Sequence, residues 1–290
     1  MTAQFNIVIL GGTGFVGRHL SQRLQSLGYL VNGYGREVFL SESALRTAVD
    51  GCDLLIMLAG ANIGKRWTKA YKKALWDSRI GTNIQLAEVL KRCQTPPKRI
   101  VSASAVGIYP QASCDAPVDE SCHEHDPGFL GRLGAAWEAA SLALQPQPVI
   151  FRFGVVLGRG GALSKMLPAF KLGLGGPVAG GEQCFSWVHI DDLVEAFLFV
   201  IKHPDMLGVY NVTSPVPVTN AEFGRALAET LNRPFWLPLP GWQLKLMFGE
   251  GAQVLMHSSA VVPSRLQEAG FEFTYSDVRF ALQNLIGPSE

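Results

Sequence analysis

Gly11-Gly12-Thr13-Gly14-Phe15-Val16-Gly17 follows directly on the apolar run Asn6 to Leu10 and opens an amphipathic stretch, Phe15 to Leu27. A glycine pattern carries meaning when a strand precedes it and a helix begins inside it, as here. Gly11 allows a tight turn, Gly14 lets the backbone approach a pyrophosphate, and Gly17 lets helix and strand pack closely. The amides at the helix N-terminus then face the anion. Gly11, Gly12, Thr13, Gly14, Phe15, Val16 and Gly17 are therefore expected to hold a dinucleotide.

Working outward from this turn, four more apolar runs read as strands: Leu30 to Tyr34, Asp53 to Leu58, Arg99 to Ser104 and Val149 to Phe153. Most lack polar alternation, which implies burial on both faces of a parallel sheet. Helical patterns lie between them, at Phe15 to Leu27, Glu42 to Val49, Thr68 to Cys93 (bent or broken near Ser78) and Leu130 to Leu144. This rhythm predicts an α/β fold, a Rossmann-type doubly wound parallel sheet with a smaller C-terminal substrate lobe. From Gly154 onward glycines crowd around one helical segment, at 158, 160, 161, 173, 175, 176, 180 and 181. Asp191 is expected to cap a helix reaching about Lys202, and Thr219 with Glu222 forms a capping box for another that ends near Leu231. Residues 1–235 are assigned to the dinucleotide-binding domain, those after about 154 partly forming the substrate lobe, and 236–290 to a small α-rich C-terminal domain.

The second strand ends at Gly35-Arg36, about twenty residues past the turn, where an NAD-preferring domain places an acid on the ribose 2′-hydroxyl. A guanidinium there pairs with a 2′-phosphate, so Gly35 and Arg36 point to NADP(H) as the cofactor.

With 290 residues, 48% of them hydrophobic, the chain is long enough to bury a full core. Lys and Arg total 25 against 24 Asp and Glu, a net charge of +1, so no overall field draws it to nucleic acid or an anionic membrane. The expected partner is a small-molecule substrate, and a homo-oligomer stays open. Cys52, Cys93, Cys114, Cys122 and Cys184 show no C-x-x-C spacing, which predicts reduced thiols in a cytoplasmic protein. Neither a signal peptide nor a membrane-spanning run is recognisable.

Further segments carry a family resemblance. Leu58-Ala59-Gly60, the run Ser102 to Tyr109, and Trp187-Val188-His189-Ile190-Asp191-Asp192 resemble the extended short-chain dehydrogenase/reductases, whose turn reads G-x-x-G-x-x-G. Arg66-Trp67-Thr68, Asp77-Ser78-Arg79, Trp137-Glu138-Ala139-Ala140, the run Arg152 to Gly158 and the run Leu172 to Pro177 resemble an atypical "epimerase family" branch related to nucleotide-sugar epimerases. The stretch with Phe248-Gly249-Glu250, Val262-Pro263 and Ala269-Gly270-Phe271 resembles that branch's small C-terminal domain. The resemblance implies that Leu58, Ala59 and Gly60 lie beside the adenosine and its ribose, that Arg79 reaches the cofactor phosphates, and that Ser102 and Ala103 lie beside the nicotinamide.

Ordinary members of the superfamily relay a proton through a Tyr-x-x-x-Lys pair helped by a Ser or Thr, the lysine acidifying the tyrosine. The corresponding helix here, Phe129 to Trp137, contains neither Tyr nor Lys. Ser104 matches the helper hydroxyl, and Tyr109 from the following loop is the other catalytic candidate. Arg159 and Lys165 flank the glycine-rich stretch where related enzymes bind substrate and are expected to meet an anionic group. His123-Glu124-His125 lacks a third spaced ligand and reads as a solvated loop, so no metal is expected. His189, Asp191 and Asp192 read as a helix start with a structural role. Two functions follow: an NADP-dependent oxidoreductase or epimerase-like enzyme of unknown substrate, or a catalytically silent NADP-binding sensor or regulatory protein.

Overall fold

Mostly apolar runs become the inner strands of the central sheet because both faces of each are covered. The computed structural model describes residues 5–287. Its first five strands are β1 (Asn6–Leu10), β2 (Leu30–Tyr34), β3 (Leu54–Met57), β4 (Arg99–Ala105) and β5 (Val149–Phe153). Then come β6 (Val155–Gly158), β7 (Cys184–Phe185), β8 (Trp187–His189), β9 (Gly208–Val212) and β10 (Val218–Thr219). The central sheet is six-stranded, in the order β2-β1-β3-β4-β5-β9, and every pair in it is parallel. Strand order reverses at β1, with β2 on one side and β3 on the other. A crevice therefore opens beyond the carboxyl ends of these strands, where ligands of open α/β sheets bind.

Side chains alternate between the two faces. Ile7, Ile9, Leu54 and Ile56 pack under α1 (Phe15–Ser26), meeting Leu20 and Leu24. Val8, Leu10, Leu55 and Met57 face Leu45 of α2 (Glu42–Val49) on the other side. The long helical segment is broken where the sequence predicts, into α3 (Lys69–Trp76), a π-helical turn at Asp77–Gly81, and α4 (Thr82–Leu90). Then come α5 (Phe129–Leu142), α6 (Gly161–Lys171), α7 (Ile190–Lys202) and α8 (Asn220–Thr230). Both halves of the capping box between Thr219 and Glu222 are formed. The cap of α7 is His189, whose Nδ1 accepts the Asp191 amide at 3.1 Å, rather than Asp191 itself. An imidazole nitrogen here takes the place that a carboxylate ordinarily fills.

The C-terminal part carries α9 (Gly241–Phe248), α10 (Gln253–Met256), α11 (Ser264–Glu268) and α12 (Val278–Ile286). Leu266, Val278, Ala281, Leu282 and Leu285 join the same apolar cluster as Ile7 and Ile9. No described helix is long and apolar enough to cross a membrane. One expectation is corrected: Cys114 and Cys184 are joined in a disulfide, while Cys52, Cys93 and Cys122 are free. The loop after β4 folds back onto β7 and brings the two Cα atoms to 5.5 Å across 70 residues of chain, a closure that local spacing cannot reveal.

Candidate functional site

The glycine turn is a meeting of three backbones. Gly11 has φ of +96°, and a β-carbon there would lie 2.7 Å from the Leu58 carbonyl carbon at the exit of β3. One on Gly12 would lie 2.5 Å from Gly33 Cα in β2, and one on Gly17 would lie 2.4 Å from the Gly11 oxygen. Gly14, by contrast, is exposed and is the N-cap of α1, with no side-chain cap and no acid in the first helical turn. Helix amides left without a side-chain acceptor form an anion site, and Arg18 brings a cation to it by donating to the Thr13 carbonyl at 2.9 Å. These groups fit a dinucleotide pyrophosphate.

Phe15, the next residue, is wedged into later glycines. Its ring lies where β-carbons of Gly158, Gly160 and Gly161 would stand, at 2.5, 2.8 and 3.1 Å. The glycine-rich connection between β6 and α6 is thus shaped by the ring that opens α1.

At the exit of β2, Arg36 is exposed. The next residue, Glu37, turns its carboxylate back to accept the Gly35 amide at 2.7 Å. A β-carbon on Gly35 would lie 2.4 Å from Glu37 Oε2 and 2.9 Å from Thr13 Oγ1, so the acid stands between the strand end and the turn. Sequence reasoning weighed Arg36 and passed over Glu37, although the two are adjacent.

At the exit of β3, Leu58 and Ala59 are half-buried and Gly60 is exposed. Arg79 comes from the π-helical turn and is buried. Its Nη2 donates to the Ala61 carbonyl at 3.1 Å and its Nη1 to the Leu75 carbonyl at 3.3 Å. Its guanidinium carbon lies 5.0 Å from the centre of the Trp137 ring. Burial pushes its pKa down to about 10.

The end of β4 is filled by a closed polar network. Ser102 shares a 3.0 Å hydrogen bond with Ser141, and Ser104 donates to Glu138 Oε1 at 2.6 Å. Arg152 donates to Glu138 and, through Nη1, to the Tyr109 hydroxyl at 2.6 Å. Tyr109 in turn donates to Asn211 Oδ1 at 3.0 Å. The structure thus brings Ser104 and Tyr109 together through Glu138 and Arg152 and presents neither to the open cleft. Ser104 is 1% and Tyr109 0% exposed, and burial raises the Tyr109 pKa. Helix α5 packs tightly under the turn that follows β4, where a β-carbon on Gly134 would lie 2.9 Å from Ile108 Cβ. Sequence reasoning gave Glu138 and Arg152 no role in the site, although Arg152 is the one charge of β5 and Glu138 the one acid of α5.

Ala103 packs with Trp67, Leu133 and Trp137. Arg159 is exposed on the turn before α6. Lys165 is exposed too, and its Nζ donates to the Gly64 carbonyl at 3.1 Å, tying α6 to the loop beyond β3. His123, Glu124 and His125 are exposed. His189 is buried and stacks on Tyr275 at 3.7 Å, while Asp192 accepts the Thr274 and Tyr275 amides at 2.9 Å each. His189 and Asp192 thereby anchor the C-terminal segment.

Comparison with known proteins places this arrangement in context. The profile described as "NAD dependent epimerase/dehydratase family" matches residues 7–213, and one described as a domain of unknown function, DUF1731, matches residues 239–285. The Mus musculus "Epimerase family protein SDR39U1" is 36% identical over 295 residues, covering 97% of this chain and 99% of the relative. The Bacillus subtilis "Epimerase family protein YfhF" is 34% identical over 297 residues, covering 97% and 98%. The crystal structure of human epimerase family protein SDR39U1 (isoform2) with NADPH superposes with a TM-score of 0.89 at 32% identity, covering 98% of this chain and 100% of that one. A glycine turn closed against β2 and β3, a six-stranded parallel sheet reversing at β1, and relatives matching over nearly the whole chain lead to one assignment: the chain belongs to the NAD dependent epimerase/dehydratase family.

Proposed function

We propose that this chain binds NADP(H) across the carboxyl ends of its sheet and exchanges hydride with a small-molecule substrate, as an oxidoreductase or epimerase-like enzyme. The observation that carries the reading is the N-terminus of α1 at the Gly11–Gly17 turn, where Gly14 is exposed and no side chain caps the helix. The human relative crystallised with NADPH supports the same cofactor. In this reading the turn holds the pyrophosphate, and Gly35 with Arg36 holds the 2′-phosphate. Leu58, Ala59 and Gly60 line the adenosine side, and Ser102 with Ala103 the nicotinamide side. Bound NADPH supplies a hydride.

The chain's own part is to orient and exclude water. Ser104 and Tyr109, tied through Glu138 and Arg152, hold the ends of β4 and β5 rigid beneath the nicotinamide. The proton that accompanies hydride comes from the substrate or water, since neither hydroxyl opens to the cleft. The same closed network favours the second reading, a silent NADP-binding sensor. A cytoplasmic setting, inferred from composition, would expose the Cys114–Cys184 pair to thiol reductants.

The test is a calorimetric titration of cofactor-free protein with NADPH and then NADH, followed by 4-deuterated NADPH with a panel of carbonyl compounds. Preference for NADPH and stereospecific deuterium transfer support the enzyme. NADPH binding without transfer to any member supports the sensor, and absence of binding removes both.

A further inference from the structure

We infer that the outer face built from α6, α9 and the loop beyond β3 docks on an anionic lipid surface. The inference goes beyond the cofactor reading and does not depend on it.

The net charge of +1 hides a segregation. Segments 61–76, 159–181 and 233–249 carry five, three and two cations and no acid. Together they hold ten of the chain's 25 Lys and Arg and none of its 24 Asp and Glu. Folding joins the three. Lys165 of α6 donates to the Gly64 carbonyl, Arg66 donates to the Leu246 carbonyl in α9, and the Trp236 amide donates to the Gly175 carbonyl at 2.9 Å. Acids just beyond the segments pair with two of the lysines, Glu250 with Lys72 and Asp77 with Lys73. Among the described residues no carboxylate pairs with Lys65, Arg66, Lys69, Lys171, Arg233 or Lys245, and all six are exposed.

Large apolar side chains stand out from the same segments. Leu172 is 75% exposed, Trp236 63%, Trp242 66% and Leu246 67%. Exposed apolar residues gathered in this way mark an interaction surface. Within α9 only Leu244 is buried. Trp242, Lys245 and Leu246 are exposed at spacings of three and four, so they share the outer side of the helix. Trp236 Nε1 donates to the Gly173 carbonyl at 3.1 Å, next in the chain to Leu172. Its one polar atom is thereby engaged within the chain, and what the ring offers outward is apolar.

Charge and apolar exposure together select the partner. A second copy does not suit the face, because a two-fold dimer sets a patch against itself and would bring ten cations against ten. Nucleic acid would answer the cations and leave Leu172, Leu246 and the exposed Met247 without an apolar phase to enter. An anionic bilayer answers both. Its surface potential draws Lys and Arg, its headgroup layer seats tryptophan, and its acyl boundary takes up leucine and methionine. Lysine stems span the two layers, apolar along their length and charged at the tip. Gly64 lies in the loop leaving β3, at the carboxyl end of the sheet, so the docked face borders the cleft.

The test is flotation of the full chain, with and without NADPH, on vesicles of phosphatidylcholine alone or of equal parts phosphatidylcholine and phosphatidylglycerol. Binding to the anionic vesicles is expected at low salt, with partition at least tenfold weaker at high salt and on the neutral vesicles. Two variants read the two halves of the surface. Lys171→Glu with Arg233→Glu and Lys245→Glu should weaken partition on anionic vesicles at least tenfold, and Trp242→Ser with Leu246→Ser at least fivefold. Lys171→Arg with Lys245→Arg should keep the wild-type value, which separates charge from packing. Tryptophan emission should move to shorter wavelength on the vesicles, and less so in the Trp242→Ser, Leu246→Ser variant. No partition onto anionic vesicles, equal partition onto neutral ones, or wild-type partition in both disruptive variants overturns the proposal. A single-stranded oligonucleotide bound more tightly than the vesicles, and undiminished in the Trp242→Ser, Leu246→Ser variant, also overturns it, by giving the face to nucleic acid.

Discussion

Arg152 grips Glu138 through both carboxylate oxygens, Nε to Oε1 and Nη2 to Oε2 at 2.7 Å each, with both residues 7% exposed. Removing one partner strands the other charge in a dry environment, which typically costs about 3–5 kcal/mol. Glu138→Ala should therefore lower the unfolding free energy, measured by urea denaturation, by that amount. A Glu138→Leu, Arg152→Met pair should recover much of the loss, because neither charge then remains. Equal loss in the single and double variants would show that packing, not charge, governs the site.

Cofactor selectivity should be set by two adjacent residues of opposite sign. Arg36→Ala is expected to lower the ratio of NADPH to NADH affinity at least tenfold, about 1.4 kcal/mol. Glu37→Gln removes a carboxylate beside the same strand end and should tighten NADPH about threefold, in the range of exposed charge interactions. Parallel calorimetric titrations of the three proteins read both effects, and an unchanged ratio in Arg36→Ala would remove Arg36 from the site.

Phe15 and Gly158 should be energetically coupled. Gly158→Ala places a β-carbon 2.5 Å from Phe15 Cζ and 3.1 Å from Ile190 Cγ2, and such overpacking costs about 1–3 kcal/mol. The displaced ring begins α1, so NADPH affinity should fall with stability. Adding Phe15→Leu should restore part of both, a non-additivity that a double-mutant cycle measures. Strictly additive effects would mean that the ring and the glycine act independently.

Burial holds the His189 pKa below its ordinary value of 6.5, against the pull of Asp191 and Asn284. The unfolded chain thus takes up a proton at higher pH than the native state does. Stability accordingly rises with pH between the depressed native value and 6.5, and falls as acid passes through that window. His189→Asn, which keeps a helix cap, should flatten the decline of the urea midpoint below pH 6.5. An identical slope in the variant would assign the decline to other groups.

β1, β3, β4, β5 and the first turn are legible in the sequence because burial on both faces writes each of these strands as a mostly apolar run, and the half-exposed edge strand β2 is legible as a short apolar stretch. The sixth, β9, is not: it starts at Gly208 and includes Asn211, a polar residue that is fully buried and bonded to Tyr109 and Val262. Its polarity is satisfied by chain more than fifty residues away, which no local pattern records. The same holds for the pairing of Glu138 with Arg152 and of Cys114 with Cys184. The break near Ser78 is visible in sequence, but not that it turns Arg79 inward. Nor does any spacing show Glu37 folding back on Gly35, since that depends on the close approach of Thr13.

The wide turn at Asp77–Gly81 has a genetic consequence. Each residue of a regular helix advances its face by about 100°, and a π-helical turn commonly marks one residue more than the regular repeat would hold. Loss of a single codon between positions 77 and 81 would let α3 and α4 run on as one regular helix. Arg79 or its successor would then swing away from Trp137, while α4 kept its place on the sheet. Segment length, more than side-chain identity, therefore decides whether this helix points a cation inward, and descendants of the fold can gain or lose that cation by an insertion or deletion of three nucleotides.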